Sequence, residues 1–198
     1  MIEFRNNNSE KPYIKFRKKF KEALLAHQDS IEAIVVSSYS IKSNEVDSRF
    51  VNLKILDDKK FIFFSNYLSP KSIQFKSHNQ VSILIFWNSI NTQIRIKGNV
   101  NKTSEDFNQK YFENRSEKKN ALAISSRQSN TIDSFEEVIE NYNKSLEFDN
   151  LKQCPAYWGG FAFTPYYFEF WEGHDSRLNR RDVYQMKDNE WERLIIQP

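Results

Sequence analysis

Between residues 33 and 196 the sequence returns again and again to short runs rich in Ile, Val, Phe and Tyr, broken by polar turns. Residues 33–39 form one such run. Residues 48–56 pass through Asp57-Asp58-Lys59-Lys60 into residues 61–65, which reads as a hairpin. Two more strands are predicted over 81–87 and 92–100. In the second, Ile94, Ile96, Gly98 and Val100 alternate with Gln93, Arg95, Lys97 and Asn99, so one face is polar. The last third predicts strands over 161–164, 167–171, 182–186 and 191–196, with Lys187-Asp188-Asn189-Glu190 making the final turn. Only 4 glycines punctuate the chain, so Asn and Asp are expected at many turns. Antiparallel strands in such number tend to close into a barrel that hides their edges.

Helices flank these runs. Phe16, Phe20, Ala23, Leu24 and His27 recur at helical spacing, with Lys15, Lys18, Lys19 and Lys21 largely outside the stripe. Residues 69–76 predict a short helix. Ser104 is placed to cap a helix bearing Phe107 and Tyr111, and Ser134 with Glu137 matches a capping box ahead of Val138, Ile139 and Tyr142. Residues 1–11 are polar and Asn-rich, and are expected to form a flexible N-terminal segment ahead of a single α+β domain over 12–198.

Several function classes lose ground. A net charge of +3 is too small to imply a nucleic-acid partner. No stretch approaches the roughly 18 apolar residues of a membrane span, and Cys154, the only cysteine, cannot form an intrachain disulfide. A cytoplasmic protein is the expectation. His27, His78 and His174 lack metal-ligand spacing, and no nucleophile elbow, Walker A loop or dinucleotide-binding glycine motif is present. What remains is a set of arginines, lysines, amides and aromatics, suited to an anionic, aromatic ligand.

Read in order, these segments resemble the pyridoxamine 5′-phosphate oxidase family. Arg49-Phe50-Val51-Asn52-Leu53-Lys54 is similar to its R-x-V-L-L-K strand, Phe63-Phe64-Ser65-Asn66 to F-Y-T-N, and Ser69-Pro70-Lys71 to S-R-K. Gln93-Ile94-Arg95-Ile96 with Gly98 is similar to Q-V-x-V-x-G, Tyr111-Phe112 with Arg115 to Y-F-x-x-R, and Ser126-Arg127-Gln128-Ser129 to S-x-Q-S. Trp158-Gly159-Gly160, Glu169-Phe170-Trp171-Glu172-Gly173 and Arg177-Leu178-Asn179-Arg180-Arg181 resemble W-G-G, E-F-W-Q-G and R-L-H-D-R.

The resemblance implies a split β-barrel of mainly antiparallel strands with peripheral helices, forming a homodimer with FMN at the subunit interface. It implies FMN contacts from Arg49, Lys54, Phe64, Ser65, Lys71, Gln93, Gln128, Ser129, Trp171 and Arg181. A phosphorylated substrate would meet Lys54, Tyr111, Arg115, Lys119, Arg177 and Asn179, with Arg177 and Asn179 in catalytic positions. The implied reaction is hydride transfer from substrate C4′ to FMN and then to oxygen, giving pyridoxal 5′-phosphate and hydrogen peroxide. Cations and hydroxyls suit a phosphate, and amides suit the flavin edge.

The chain departs from the family at several places. The family's His is Asn179, its Asp is Arg180, the Arg before Lys71 is Pro70, and a Ser near the substrate phosphate is Lys119. These departures motivate an alternative, a related FMN-dependent oxidase of a secondary-metabolite pathway, as in phenazine biosynthesis. They also motivate a non-catalytic flavin-binding protein. Spacing adds one structural demand. Arg49 and Lys54 are five residues apart, so a regular strand points them to opposite faces, and either a bulge or the use of both faces near the dimer seam is needed for both to reach one ligand.

Overall fold

The computed structural model describes residues 1–198. In chain order the elements are β1 (Glu3–Arg5), α1 (Lys11–Leu25), β2 (Ala33–Ser40), β3 (Glu45–Asp57), β4 (Lys60–Asn66), α2 (Pro70–Ser77) and β5 (Gln80–Trp87). There follow β6 (Thr92–Lys102), α3 (Glu105–Glu113), α4 (Glu117–Ser125), α5 (Phe135–Phe148), β7 (Trp158–Glu172), β8 (Arg180–Lys187) and β9 (Glu190–Ile196).

Six strands close a ring. β3 pairs with β2, β2 with β5, β5 with β6, β6 with β7, β7 with β4, and β4 returns to β3, every pairing antiparallel. The hairpin of β8 and β9 extends the sheet beyond β7. This is the α+β split barrel that the resemblance implied, and its closure is the one expected of so many short antiparallel strands.

Alternation explains the interior. Ile83, Ile85, Ile94, Ile96, Phe168 and Phe170 are at most 1% exposed, while their strand neighbours face outward. Helix α1 stops one end of the barrel. Its Tyr13, Phe16 and Phe20 are buried against Phe61, Phe168 and Trp87 with ring centroids 5.0–6.2 Å apart. Hairpin and loop turns fall on Asn44, Asp58, Asn91, Asp188 and Asn189, all with positive φ, as the shortage of glycine required. Ser104 and Ser134 accept hydrogen bonds from the Phe107 and Glu137 amides, capping α3 and α5.

Two expectations are corrected, and one helix is added. The N-terminal segment does not stay apart from the sheet: β1 pairs in parallel with β3, and Ile2 is buried in the core. The polar composition of residues 1–11 hid two apolar anchors, Ile2 and Phe4, the latter edge-to-face on Phe20 at 5.0 Å. The two runs at 161–164 and 167–171 are one strand. It carries a register shift against β6, where Gly98 lets the Thr164 carbonyl approach closer than any Cβ would allow. The added helix is α4, which has little amphipathy to announce it. It is held instead by Asn120, whose amide donates to the carbonyls of Phe112 and Leu151, both at 2.8 Å.

Candidate active site

A cleft of about 1100 Å³ opens between β3, β4, the start of α2, and α3 with the loops that follow it. Its lining holds seven basic side chains (Arg5, Arg49, Lys54, Lys71, Lys110, Arg115 and Lys119) against two acidic ones, Glu3 and Asp47. A chain of net charge +3 thus gathers most of a positive field into one concavity.

Of the two arrangements the spacing allowed, a bulge is present in β3. Leu53 pairs with Phe63 and Ile55 with Ile62, so Lys54 is the extra residue between two successive pairs. Both Arg49 and Lys54 line the cleft. Arg49 donates to Ser38 Oγ at 2.6 Å and to Gln74 Oε1 at 3.2 Å, and pairs with Asp47 at 2.9 Å.

At the α2 end of the cleft, Lys71 is 7% exposed and has no carboxylate partner. Its Nζ donates only to Ser65 Oγ at 3.1 Å and Ser69 Oγ at 3.0 Å. Ser65 in turn donates to Gln128 Oε1 at 3.2 Å, which ties the loop carrying Gln128 and Ser129 to the same spot. Burial, and then the Arg49 guanidinium, push Lys71 down to about 8. A buried cation beside a second cation, satisfied only by hydroxyls, is a site built for an anion.

At the α3 end, Tyr111 stacks on Phe64 at 3.6 Å and Phe64 on Trp158 at 5.2 Å. Helix α3 ends at Glu113, so Arg115 lies just past the C-cap Asn114 rather than within the helix, its amide bonded to the Phe112 carbonyl. Its guanidinium lies over the Trp158 ring at 4.3 Å and leaves Nη1 buried with no partner. Burial lowers the Arg115 pKa and raises that of Tyr111. Nearby Cys154 is pushed up to about 11 by burial, which keeps its thiol protonated at neutral pH and unsuited to nucleophilic attack.

The wall under Tyr111 is set by close backbone approach. Asn108 is buried; its Oδ1 accepts from the Gly160 amide at 2.9 Å and its Nδ2 donates to the Tyr67 hydroxyl at 3.0 Å. A Cβ on Gly159 would overlap both the Tyr67 hydroxyl and the Asn108 amide. Gly159→Ala is therefore expected to destabilise the protein by about 1–3 kcal/mol, read by urea denaturation. An unchanged midpoint would mean that α3 yields without cost.

The remaining residues implied by resemblance lie elsewhere. Gln93, Trp171 and Arg181 sit side by side in register across β6, β7 and β8. Arg181 is held by Glu169 Oε1, with Nη2 at 2.7 Å and Nε at 2.9 Å. None of the three lines the cleft, and neither do Arg177 or Asn179. Arg177 is in the β7–β8 loop with φ 61°, and Asn179 Oδ1 accepts from the His174 amide at 3.0 Å. Trp158 at the cleft and Trp171 in the second cluster are thirteen residues apart on one strand, up to roughly 40 Å of chain at ~3.3 Å per residue. Conversely, Glu3 and Arg5 line the cleft and were missed, because nothing in a polar N-terminal run predicts pairing with β3.

Two family models match the chain. Residues 18–140 match one described as pyridoxamine 5′-phosphate oxidase, and residues 158–198 match a pyridoxine 5′-phosphate oxidase C-terminal dimerisation region. The pyridoxine/pyridoxamine 5′-phosphate oxidase of Rhodopirellula baltica is 36% identical over 201 residues, covering 98% of this chain and 90% of the relative. That of a Nostoc species is 33% identical over 191 residues, covering 94% and 88%. Among solved structures, PhzG from Burkholderia lata in complex with tetrahydrophenazine-1-carboxylic acid superposes with a TM-score of 0.90 at 25% identity, covering 96% of this chain and 93% of that one.

Proposed function

Because the chain belongs to the pyridoxamine 5′-phosphate oxidase family, we propose that it is an FMN-dependent oxidase that converts pyridoxamine or pyridoxine 5′-phosphate to pyridoxal 5′-phosphate with release of hydrogen peroxide. The observation that supports this most is that one cleft has two distinct anion-accepting ends. Lys71 with Arg49 makes the first, and Arg115, with its unpartnered Nη1, makes the second. A phosphorylated cofactor and a phosphorylated substrate together need two such ends.

The residues present fit FMN. Lys71, Ser65 and Arg49 offer a cationic, hydroxyl-lined cradle for its phosphate, and Gln128 and Ser129 stand beside it. When bound, FMN supplies the hydride acceptor and the route to oxygen. The chain's own part is orientation. Lys54, Tyr111, Arg115 and Lys119 hold the substrate phosphate, and the stacked Phe64, Tyr111 and Trp158 form a flat wall against which an aromatic ring is aligned.

Gln93, Trp171 and Arg181 do not line this cleft on the same chain, so a place for them in the site calls for a second copy. We take the protein to act as a homodimer in which each cleft is completed by the β6–β8 face of the other subunit, with Arg177 and Asn179 carried on the adjacent loop. The dimerisation match over residues 158–198 contains four of those five residues. No helix is long and apolar enough to cross a membrane; a cytoplasmic location is part of the proposal.

The test is an absorbance spectrum of the purified protein, repeated after anaerobic addition of pyridoxamine 5′-phosphate. A flavin spectrum that bleaches, and recovers with pyridoxal 5′-phosphate on admitting air, is expected. Flavin that stays oxidised with both phosphorylated substrates would sink the reading. FMN retention is also expected to weaken as pH rises above about 8, where Lys71 loses the proton that a phosphate needs. Fluorimetric titration of apoprotein with FMN at pH 7 and 9 measures this, and equal affinity would remove Lys71 from the cradle.

A second reading, oxidation of a fused-ring carboxylate, is favoured by the PhzG likeness and by Lys119 and Asn179 standing where the family has Ser and His. Bleaching by a dihydrophenazine carboxylate and not by pyridoxamine 5′-phosphate would establish it.

A further inference from the structure

Strand β1 brings to the cleft two charged side chains that none of the roles above employs. Glu3 and Arg5 are two apart on a strand, so they share a face, and both line the cleft. The Arg5 guanidinium is held by Glu3 through two parallel bonds, Nε to Oε1 at 2.6 Å and Nη2 to Oε2 at 2.8 Å. It stands 6.0 Å over the Phe107 ring, one helical turn from Tyr111.

The backbone beneath this pair is fixed. Arg5 pairs with Asp57 in the sheet, its carbonyl accepts from the Asp58 amide at 3.2 Å, and Phe4 packs between them and the core against Phe20. The side chains are not fixed in the same way: Arg5 is 39% and Glu3 54% exposed. An exposed pair between near neighbours holds its members weakly, whereas a phosphate dianion offers a guanidinium two charge-assisted bonds of the same geometry.

We propose that Arg5 is a substrate-binding residue held in reserve by Glu3, exchanging the carboxylate for the phosphate of an incoming anionic substrate at the Tyr111 end of the cleft. Glu3 then sets selectivity. It neutralises Arg5 while the cleft is empty, so only an anion that outcompetes a carboxylate recruits it. Monoanionic carboxylates are disfavoured and phosphate monoesters favoured. The inference deepens the proposed function and rests on it.

The experiment uses FMN-loaded protein, in which the cofactor's phosphate subsite is filled. Steady-state oxidation of pyridoxamine 5′-phosphate and binding of inorganic phosphate by calorimetry are measured for Arg5→Ala, Glu3→Gln and the double variant. Arg5→Ala is expected to raise KM about tenfold with kcat within twofold, the loss of one charge-assisted contact. Glu3→Gln is expected to lower KM severalfold, because Arg5 is then free before substrate arrives. In the Arg5→Ala background the Glu3→Gln gain should vanish. Phosphate affinity should follow the same three signs.

A pair that merely braces β1 would move KM in one direction for both variants, and that result overturns the inference, as does phosphate affinity unchanged in both. Wild-type protein that fails to oxidise pyridoxamine 5′-phosphate overturns the proposed function instead. The opposed shifts in phosphate affinity would still judge Arg5 on their own.

Discussion

Arg115→Ala is expected to raise KM for pyridoxamine 5′-phosphate by roughly 10- to 100-fold, with kcat close to that of the wild type and FMN content unchanged. The guanidinium lies 4.3 Å over Trp158 and 5.5 Å over Phe112, and its Nη1 is buried without any acceptor. A buried donor left without a partner is costly, and burial is the main reason the Arg115 pKa is lowered. An arriving phosphate removes that cost and adds a charge-assisted bond, so most of the affinity it gains here is lost with the side chain. Binding energy of this uniform kind appears in KM. Arg115→Lys keeps the charge but not the planar stack on Trp158, and is expected to recover only part of the loss. Steady-state kinetics with the flavin-to-protein absorbance ratio as control decides the matter. An alanine variant with KM within threefold of wild type would leave Arg115 a packing residue.

The largest effect on stability is expected at Asp182. Its side chain is 1% exposed and accepts from Lys15, from Arg180 Nε at 3.0 Å and from Arg193 Nη2 at 2.7 Å. Lys15 comes from α1, lies 5.0 Å over the Phe170 ring and also reaches Glu172 at 3.4 Å, so this carboxylate fastens the barrel's helical stopper to the C-terminal hairpin. Asp182→Ala leaves three cations around an emptied acceptor and is expected to cost about 3–5 kcal/mol. At about 2–4 °C per kcal/mol for a chain of this size, the melting temperature should fall by roughly 10 °C.

The same group sets an acid limb. Burial alone would push the Asp182 pKa up, but hydrogen bonds from Lys15 and Arg193, with the charges of Lys15 and Arg180, take it down to about 2. A carboxylate with a lower pKa folded than unfolded stabilises fully above its unfolded value near 4, and that contribution is lost as pH falls from about 4 towards 2. Urea midpoints between pH 5 and 2 should fall more steeply in wild type than in Asp182→Ala. Parallel profiles would show that Asp182 is not the titrating group.

Much of this could be read from local pattern. Period-two alternation in residues 92–100 predicted the buried face of β6, and Ser104 and Ser134 cap the helices they were expected to cap. The five-residue spacing of Arg49 and Lys54 left a bulge or the use of both strand faces open, and β3 has a bulge at Lys54. Local pattern failed where a segment's stability comes from distant partners. Helix α4 depends on Asn120 reaching Leu151, and β1 depends on Ile55–Asp57 being present to pair with. Arg180, a departure from the family, turns out to be an ion-pair partner of Asp182, which no spacing rule foretold.

The sequence by itself determined which runs become strands, where Asn and Asp turn the chain, and which cations, amides and aromatics are available. Backbone period and turn chemistry are local, and the chain carries them wherever it folds. Only the tertiary structure decided which of those groups meet. Barrel closure sets Arg49 against Lys71 and lays Arg115 over Trp158, and pairing of β1 with β3 carries Glu3 and Arg5 into the same cleft. It also parts Gln93, Trp171 and Arg181 from that cleft on one chain. Register and closure are non-local, fixed by pairings tens of residues apart, and periodicity within a single run contains no information about them.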